Sequence, residues 1–269
     1  MQMDVQRRVL FEGAVNFRDL GGYPAGRGRQ TRWSVVYRAD NLAGLTEADL
    51  VLLETLGLTT LIDFRLPMER HAHPDRLPPG SSIRRVELGF LPEGTLDMLS
   101  LVKRGTIDAT ELERRVIGQY RLFCLDHVEE YRRTFAIASE PDNYPLLLHC
   151  TSGKDRTGVA AALLLLAVGA PRETVLEDYS LTNLYRRPVP QLLGPETPEE
   201  VVDVLLSAQP KYLEAALEEI DRVHGSFDAY LRQALGVDEA QRERLVEMLT
   251  EPLTPSPARG PDIAEIRSR

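Results

Sequence analysis

The stretch Pro145-Leu146-Leu147-Leu148-His149-Cys150-Thr151-Ser152-Gly153-Lys154-Asp155-Arg156-Thr157-Gly158 runs directly into the apolar segment Val159 to Val168. A short apolar run bounded by loop residues reads as a buried strand, and the longer apolar segment reads as a helix. Between them lies a loop. That layout aims the loop N–H groups and the positive end of a helix dipole at one centre, which suits a dianionic phosphate. Cys150 falls at this centre, where a helix N-terminus and neighbouring Arg and Lys favour the nucleophilic thiolate. Arg156 can offer two parallel hydrogen bonds to phosphate oxygens, a fork that lysine cannot reproduce. Gly153 lets the backbone pass close to the anion, and His149, Ser152 and Thr157 can add hydrogen bonds.

Outward from this segment, Ser34 to Tyr37, Thr59 to Phe64 and Arg84 to Leu88 read as further short strands, with helical patterns between them. Thr46 and Asp49 look like the N-cap of a helix that stops at Gly57. From Thr110 to about Ser139 the apolar spacing predicts one long or broken helix. Strands separated by helices imply an α/β fold with a central, mainly parallel sheet flanked by helices. After Gly158 the pattern becomes all-helical: Val159 to Val168, Arg172 to about Tyr185, a helix opened by Thr197-Pro198-Glu199-Glu200, then Tyr212 to Val223, Phe227 to Leu235 and Asp238 to Leu249. The sheet is expected to be complete before this part begins. Residues 1–250 read as a single domain and residues 251–269, rich in Pro and charge, as a flexible tail.

The chain has 269 residues, 43% of them hydrophobic and 27% charged, as expected of a globular protein. Its net charge of -9 argues against a general affinity for nucleic acid or anionic membrane. No apolar stretch is long enough to span a bilayer, and the N-terminal residues do not read as a secretory signal. Two cysteines, Cys124 and Cys150, make no disulfide framework, so a reducing cytoplasm is the expected location. Cys124 follows the apolar pattern of a helix and reads as a small buried hydrophobe. His71, His73, His127 and His224 have no metal-ligand spacing, so neither a metal nor another cofactor is expected.

The segment from His149 to Gly158 resembles the Cys-x5-Arg signature of the protein tyrosine phosphatase superfamily. In its extended form, His-Cys-x-x-Gly-Lys-Asp-Arg-Thr-Gly, it is similar to the bacterial tyrosine/serine protein phosphatases. Val15 to Tyr23 looks like that family's N-terminal signature, Leu61 to Arg65 and on through Glu69 like its Asp-Leu-Arg strand end, and Phe227 to Val237 like its C-terminal helical segment. The resemblance covers most of Val15 to Leu249. It implies a phosphatase acting through a phosphocysteine, on phosphotyrosine first and on phosphoserine, phosphothreonine or phosphoinositides as further substrates. It also implies that Thr151, Ser152, Gly153, Lys154, Asp155 and Arg156 surround the phosphate, and that the later helices could form a lid.

Such chemistry needs an acid to protonate the leaving oxygen and then a base to activate water. The Trp-Pro-Asp loop of many superfamily members is absent, since the single tryptophan, Trp33, precedes Ser34. Asp155 is the first candidate, as the resemblance also implies. Asp63 is the second, because it closes a buried strand where ligands of α/β sheets bind, although it could instead pair with Lys154 or with Arg65 and support the loop. Lys154 could meet the phosphate, or a second phosphate on an inositol ring, or be a solvated helix-entry lysine. Asn16, Arg18, Asp19, Gly21 and Gly22 read as a supporting turn, Arg38 and Asp40 as a structural ion pair, and Arg186 and Arg187 as a solvated face or a pocket rim. The competing functions are a phosphate-binding module without turnover and a rhodanese-like sulfurtransferase, which also carries a cysteine loop after a strand.

Overall fold

Leu146, Leu147 and Leu148 expose no surface at all, which only a strand covered on both faces allows. In the computed structural model, which describes residues 7–185, 193 and 196–253, this strand is the centre of a five-stranded sheet. We number elements along the chain: β1 (Arg18–Asp19), β2 (Pro24–Ala25), β3 (Arg29–Thr31), β4 (Val36–Ala39), β5 (Thr60–Asp63), β6 (Arg84–Glu87), β7 (Leu146–His149) and β8 (Thr250–Pro252). The large sheet has the order β1-β4-β7-β5-β6. Its β4, β7, β5 and β6 are parallel, and β1 lies antiparallel at the edge. Ala39 and Asp63 both stand opposite His149, so three strands end at one level and their loops open together.

Alternation along the strands divides the core. Tyr37, Leu61 and Leu147 pack with Phe17, Leu50 and Leu53 on one face, and Val36, Ile62, Leu146 and Leu148 join the larger cluster on the other. The helices are α1 (Glu47–Thr55), α2 (Pro67–Ala72), α3 (Thr95–Lys103), α4 (Ala109–Asp126), α5 (Val128–Ala138), α6 (Arg156–Ala167), α7 (Arg172–Ser180), α8 (Glu199–Leu206), α9 (Pro210–His224), α10 (Phe227–Gln233) and α11 (Glu239–Leu249). The α1 start is a full capping box between Thr46 and Asp49. The expected long helix is broken: His127 leaves helical geometry, at φ -116° and ψ 31°, and separates α4 from α5.

Three findings depart from the sequence reading. The sheet material is not finished at Gly158, because Thr250–Pro252 forms β8 and pairs antiparallel with β3, beside β2, in a second, three-stranded sheet. Strands of two or three residues have too few side chains to display a period. The tail expected from residue 251 therefore starts in ordered structure, and its remainder from residue 254, like Arg186 and Arg187, lies outside the described residues. Finally, the helix opened by Thr197-Pro198-Glu199-Glu200, in which Thr197 would be the N-cap and Pro198 the first helical residue, has Pro198 at its N-cap and no side-chain cap. Among the described residues, no helix is long and apolar enough to cross a membrane.

Leu148 is fully buried in β7 and Leu96 is 64% exposed on α3. Leu148→Ala should lower unfolding stability by about 2–5 kcal/mol and Leu96→Ala by less than about 0.5 kcal/mol, as read from urea unfolding midpoints.

Candidate active site

Cys150 follows β7 directly and is 1% exposed, at the point where the chain leaves the sheet. The Gly153 N–H donates to its Sγ at 3.3 Å, and α6 begins at Arg156. Gly153 has φ +68°, and a Cβ there would lie 2.6 Å from the Ala39 carbonyl oxygen, so no other residue fits the loop. The loop forms the floor of a cavity of about 380 Å³. Its walls include Met98 and Leu99 of α3, Val116 and Phe123 of α4, and Leu205 and Leu206 at the end of α8. The helices expected to form a lid thus supply part of a cavity wall.

Arg156 is held along its outer edge. Nη1 donates to the Phe64 carbonyl at 2.9 Å, the Phe90 carbonyl at 3.1 Å and Glu69 Oε2 at 2.7 Å, and Nη2 donates to Glu69 Oε1 at 2.8 Å and Thr151 Oγ1 at 3.3 Å. Nε has no partner among the described residues. Thr151 Oγ1 in turn donates to Glu69 Oε1 at 2.5 Å. Burial would raise the Glu69 carboxyl, but the hydrogen bonds and charge of Arg156, with help from Thr151 and the Leu66 N–H, hold it at about 2. Burial likewise disfavours the Arg156 cation, and Glu69 and the Cys150 sulfur outweigh it and raise its pKa.

Asp155 lines the cavity, with about a third of its side chain exposed. Its Oδ1 accepts from the Tyr120 hydroxyl at 2.5 Å and lies 3.4 Å from Lys154 Nζ, and Tyr120 is held in turn by the Tyr179 hydroxyl at 2.6 Å. Oδ2 has no protein partner among the described residues. Lys154 Nζ donates to the Leu205 carbonyl at 2.5 Å, so its charge sits on the last turn of α8, where a helix presents its free carbonyls.

Asp63 is absent from the cavity wall. Both its oxygens are taken by Arg65, at 2.7–3.1 Å, and the ion pair keeps its carboxyl below the usual range despite burial. Arg65 Nη2 also meets Asp75 Oδ2 at 2.6 Å. Asp63, Asp75 and His149 could together offer three metal-ligand atoms, but the Arg65 guanidinium already bridges the two carboxylates as their counter-cation. His149 and Thr157, expected to add hydrogen bonds, are buried and make none from either ring nitrogen or from Oγ1 among the described residues, although His149 Nε2 lies 3.5 Å from Asp75 Oδ2 and 3.6 Å from Asp63 Oδ2. Cys124 is buried in α4, where desolvation pushes its thiol up to about 12, a state without nucleophilic use.

The sequence reading assigned no role to Glu69, Tyr120 or Thr151 Oγ1 as a link between loop and helix. Glu69 had a signal, since it lies one turn beyond Arg65 at the end of the same quoted segment. Tyr120 had none, because its spacing matches the apolar face of α4.

A parallel strand, a loop that opens on a buried cysteine, and a helix that begins with the arginine fit the tyrosine-phosphatase-like class of α/β protein. The tyrosine phosphatase family model matches residues 9–251, and the chain belongs to that family. It is thus an enzyme of the protein-tyrosine phosphatase type. It is similar to a predicted tyrosine-protein phosphatase of Cupriavidus necator, with 36% identity over 246 residues, covering 87% of this chain and 86% of that one. It is also similar to the triple specificity protein phosphatase PtpB of Mycobacterium tuberculosis, with 28% identity over 271 residues, 87% of this chain and 95% of that one.

The low Glu69 pKa is a stability statement. A depressed carboxyl stabilises the fold fully above its ordinary pKa of 4.5 and loses that contribution as pH falls toward about 2. Glu69→Gln should therefore be less stable than the parent by about 1 kcal/mol at neutral pH, with the gap closing across that acid window in urea titrations.

Proposed function

We propose that the chain acts as one domain that includes β8, hydrolyses phosphomonoesters through a phosphocysteine, and has phosphotyrosine as its main substrate. The observation that carries this reading is the buried Cys150 sulfur, with a loop N–H 3.3 Å from it, next in the chain to a cavity floor made by Thr151, Ser152, Lys154, Asp155 and Arg156, whose Nε edge has no partner among the described residues. A thiolate there attacks phosphorus, forming the S–P bond as the P–O bond to the leaving group breaks. Arg156 and the N–H groups from Thr151 to Arg156 hold the equatorial oxygens while charge spreads over them.

Asp155 is the proton carrier. Oδ1 is fixed by Tyr120, so Oδ2 gives its proton to the departing oxygen; it then takes one from the water that attacks phosphorus and breaks the S–P bond, restoring the thiolate. Asp63, saturated by Arg65, supports the strand end instead, and His149 and Thr157 pack beneath the loop. No step calls for a metal.

Substrate choice follows from the walls. A phenyl ring between phosphate and peptide reaches Met98, Val116 and Phe123, whereas the short arm of phosphoserine leaves that apolar surface in water. Phosphoserine, phosphothreonine and phosphoinositides are proposed as further substrates, a breadth that similarity to a relative named a triple specificity phosphatase supports. A phosphoinositide ring phosphate would have to draw Lys154 from the Leu205 carbonyl, which favours phosphotyrosine.

A panel of phosphotyrosine, phosphoserine and phosphothreonine peptides and phosphoinositides, assayed with chelator, tests the reading. Phosphotyrosine should lead, Cys150→Ser should be inactive, and Asp155→Asn should lower kcat by about 10²–10⁴-fold. Parent protein inert on every member would leave a phosphate-binding module, and persulfide formation with thiosulfate would indicate the sulfurtransferase.

A further inference from the structure

Three successive loop carbonyls are taken by donors from the N-terminal part of the chain. The Thr151 carbonyl accepts from the Asn41 backbone at 3.2 Å, the Ser152 carbonyl from Asn16 Nδ2 at 3.0 Å, and the Gly153 carbonyl from Arg38 Nη2 at 2.5 Å. In a trans peptide the C=O and the following N–H point in opposite directions, so a donor that fixes one fixes the other. The Ser152–Gly153 peptide has both ends accounted for: its carbonyl is on Asn16 and its N–H is on the Cys150 sulfur.

Asn16 and Arg38 share one anchor. Arg38 Nη1 donates to Asp178 Oδ2 at 2.6 Å; Arg18 Nη1 donates to Asn16 Oδ1, and its Nε donates to Asp178 Oδ1 at 2.9 Å. Arg18 Nη2 also donates to the Asp178 carbonyl at 2.8 Å, and the Tyr23 hydroxyl donates to Oδ1 at 2.8 Å. Arg18 and Arg38 are side by side because they are register partners in β1 and β4, and they and Asp178 on α7 are fully buried. Charge of that kind survives burial only when it is paired and hydrogen-bonded, and here one carboxylate serves two guanidiniums. Burial acts against the Asp178 carboxylate, yet Arg18 and Arg38 hold its pKa well below the usual range.

We propose that Asp178 is a positioning residue for oxyanion binding: through Arg38, and through Arg18 and Asn16, it fixes two loop peptides, one with its N–H on the Cys150 sulfur and the next with its N–H on Ser152 Oγ, and so sets the frame in which the oxyanion is held. The inference rests on the phosphatase reading above. Asp178 touches neither the cysteine nor the cavity, so its effect has to be read through the loop.

Tungstate binding measured by calorimetry, which needs no turnover, separates the two. Asp178→Asn and Asn16→Ala should each weaken tungstate by about tenfold, the size of one lost charge-assisted hydrogen bond, and the double variant should fall well short of the product. Tyr23→Phe, which removes one donor to Asp178 but leaves both guanidiniums on it and every donor to the loop, should lower the melting temperature and cost clearly less affinity than Asp178→Asn. Folded Asp178→Asn with parental tungstate affinity would overturn the proposal. Should that variant fail to fold, parental affinity in Asn16→Ala would do the same. Parent protein that binds no tungstate would overturn the phosphatase reading, and this inference with it.

Discussion

A loop that gathers its N–H groups around one anion must send its carbonyls the other way, and each buried carbonyl then needs a donor of its own. In this chain Asn41, Asn16 and Arg38 provide them. The loop is therefore held from behind: the segment around β1 and β4 supplies the donors for its carbonyls, and under the proposed reading its N–H groups are left for the anion. The parallel register that brings Ala39 level with His149 makes this possible, and the close approach of the Ala39 carbonyl makes glycine obligatory at Gly153.

The same division governs the arginine. A guanidinium has two edges, and Arg156 spends its outer one on Glu69 and two backbone carbonyls. The fork reaches the cavity already oriented, with its Nε edge unmet, so little side-chain freedom remains to be lost when phosphate arrives. Glu69 also ties Thr151 to α2 and thereby couples the loop to the end of β5. Lys154 plays the corresponding part toward α8, since its amine joins the loop to the wall carrying Leu205 and Leu206.

Much of this was legible in the sequence because strand, loop and helix are contiguous and each has a strong local signal. The run from Pro145 to Val168 fixes β7, the loop and α6 together, and with them the class of chemistry. The four parallel strands and the N-cap at Thr46 were equally plain. What stayed hidden depends on distance along the chain: Asp178 is 160 residues from Arg18 and 140 from Arg38, and nothing near it in sequence marks a buried ion cluster. Asp63 drew attention by its strand-end position, but position does not say where a carboxylate points, and Arg65 two residues away claims both its oxygens. Short strands such as β8 are made by pairing with a distant partner and leave no period to read.

The central claim is that phosphorus passes through the Cys150 sulfur. Asp155→Asn, in which the intermediate should accumulate, can be mixed with an aryl phosphate, quenched in acid and digested, and the peptide spanning Cys150 weighed. The account predicts a phosphoryl increment on that peptide, located at Cys150 and missing from Cys150→Ser. Turnover by the parent with no such increment, or with the increment on another residue, would contradict it.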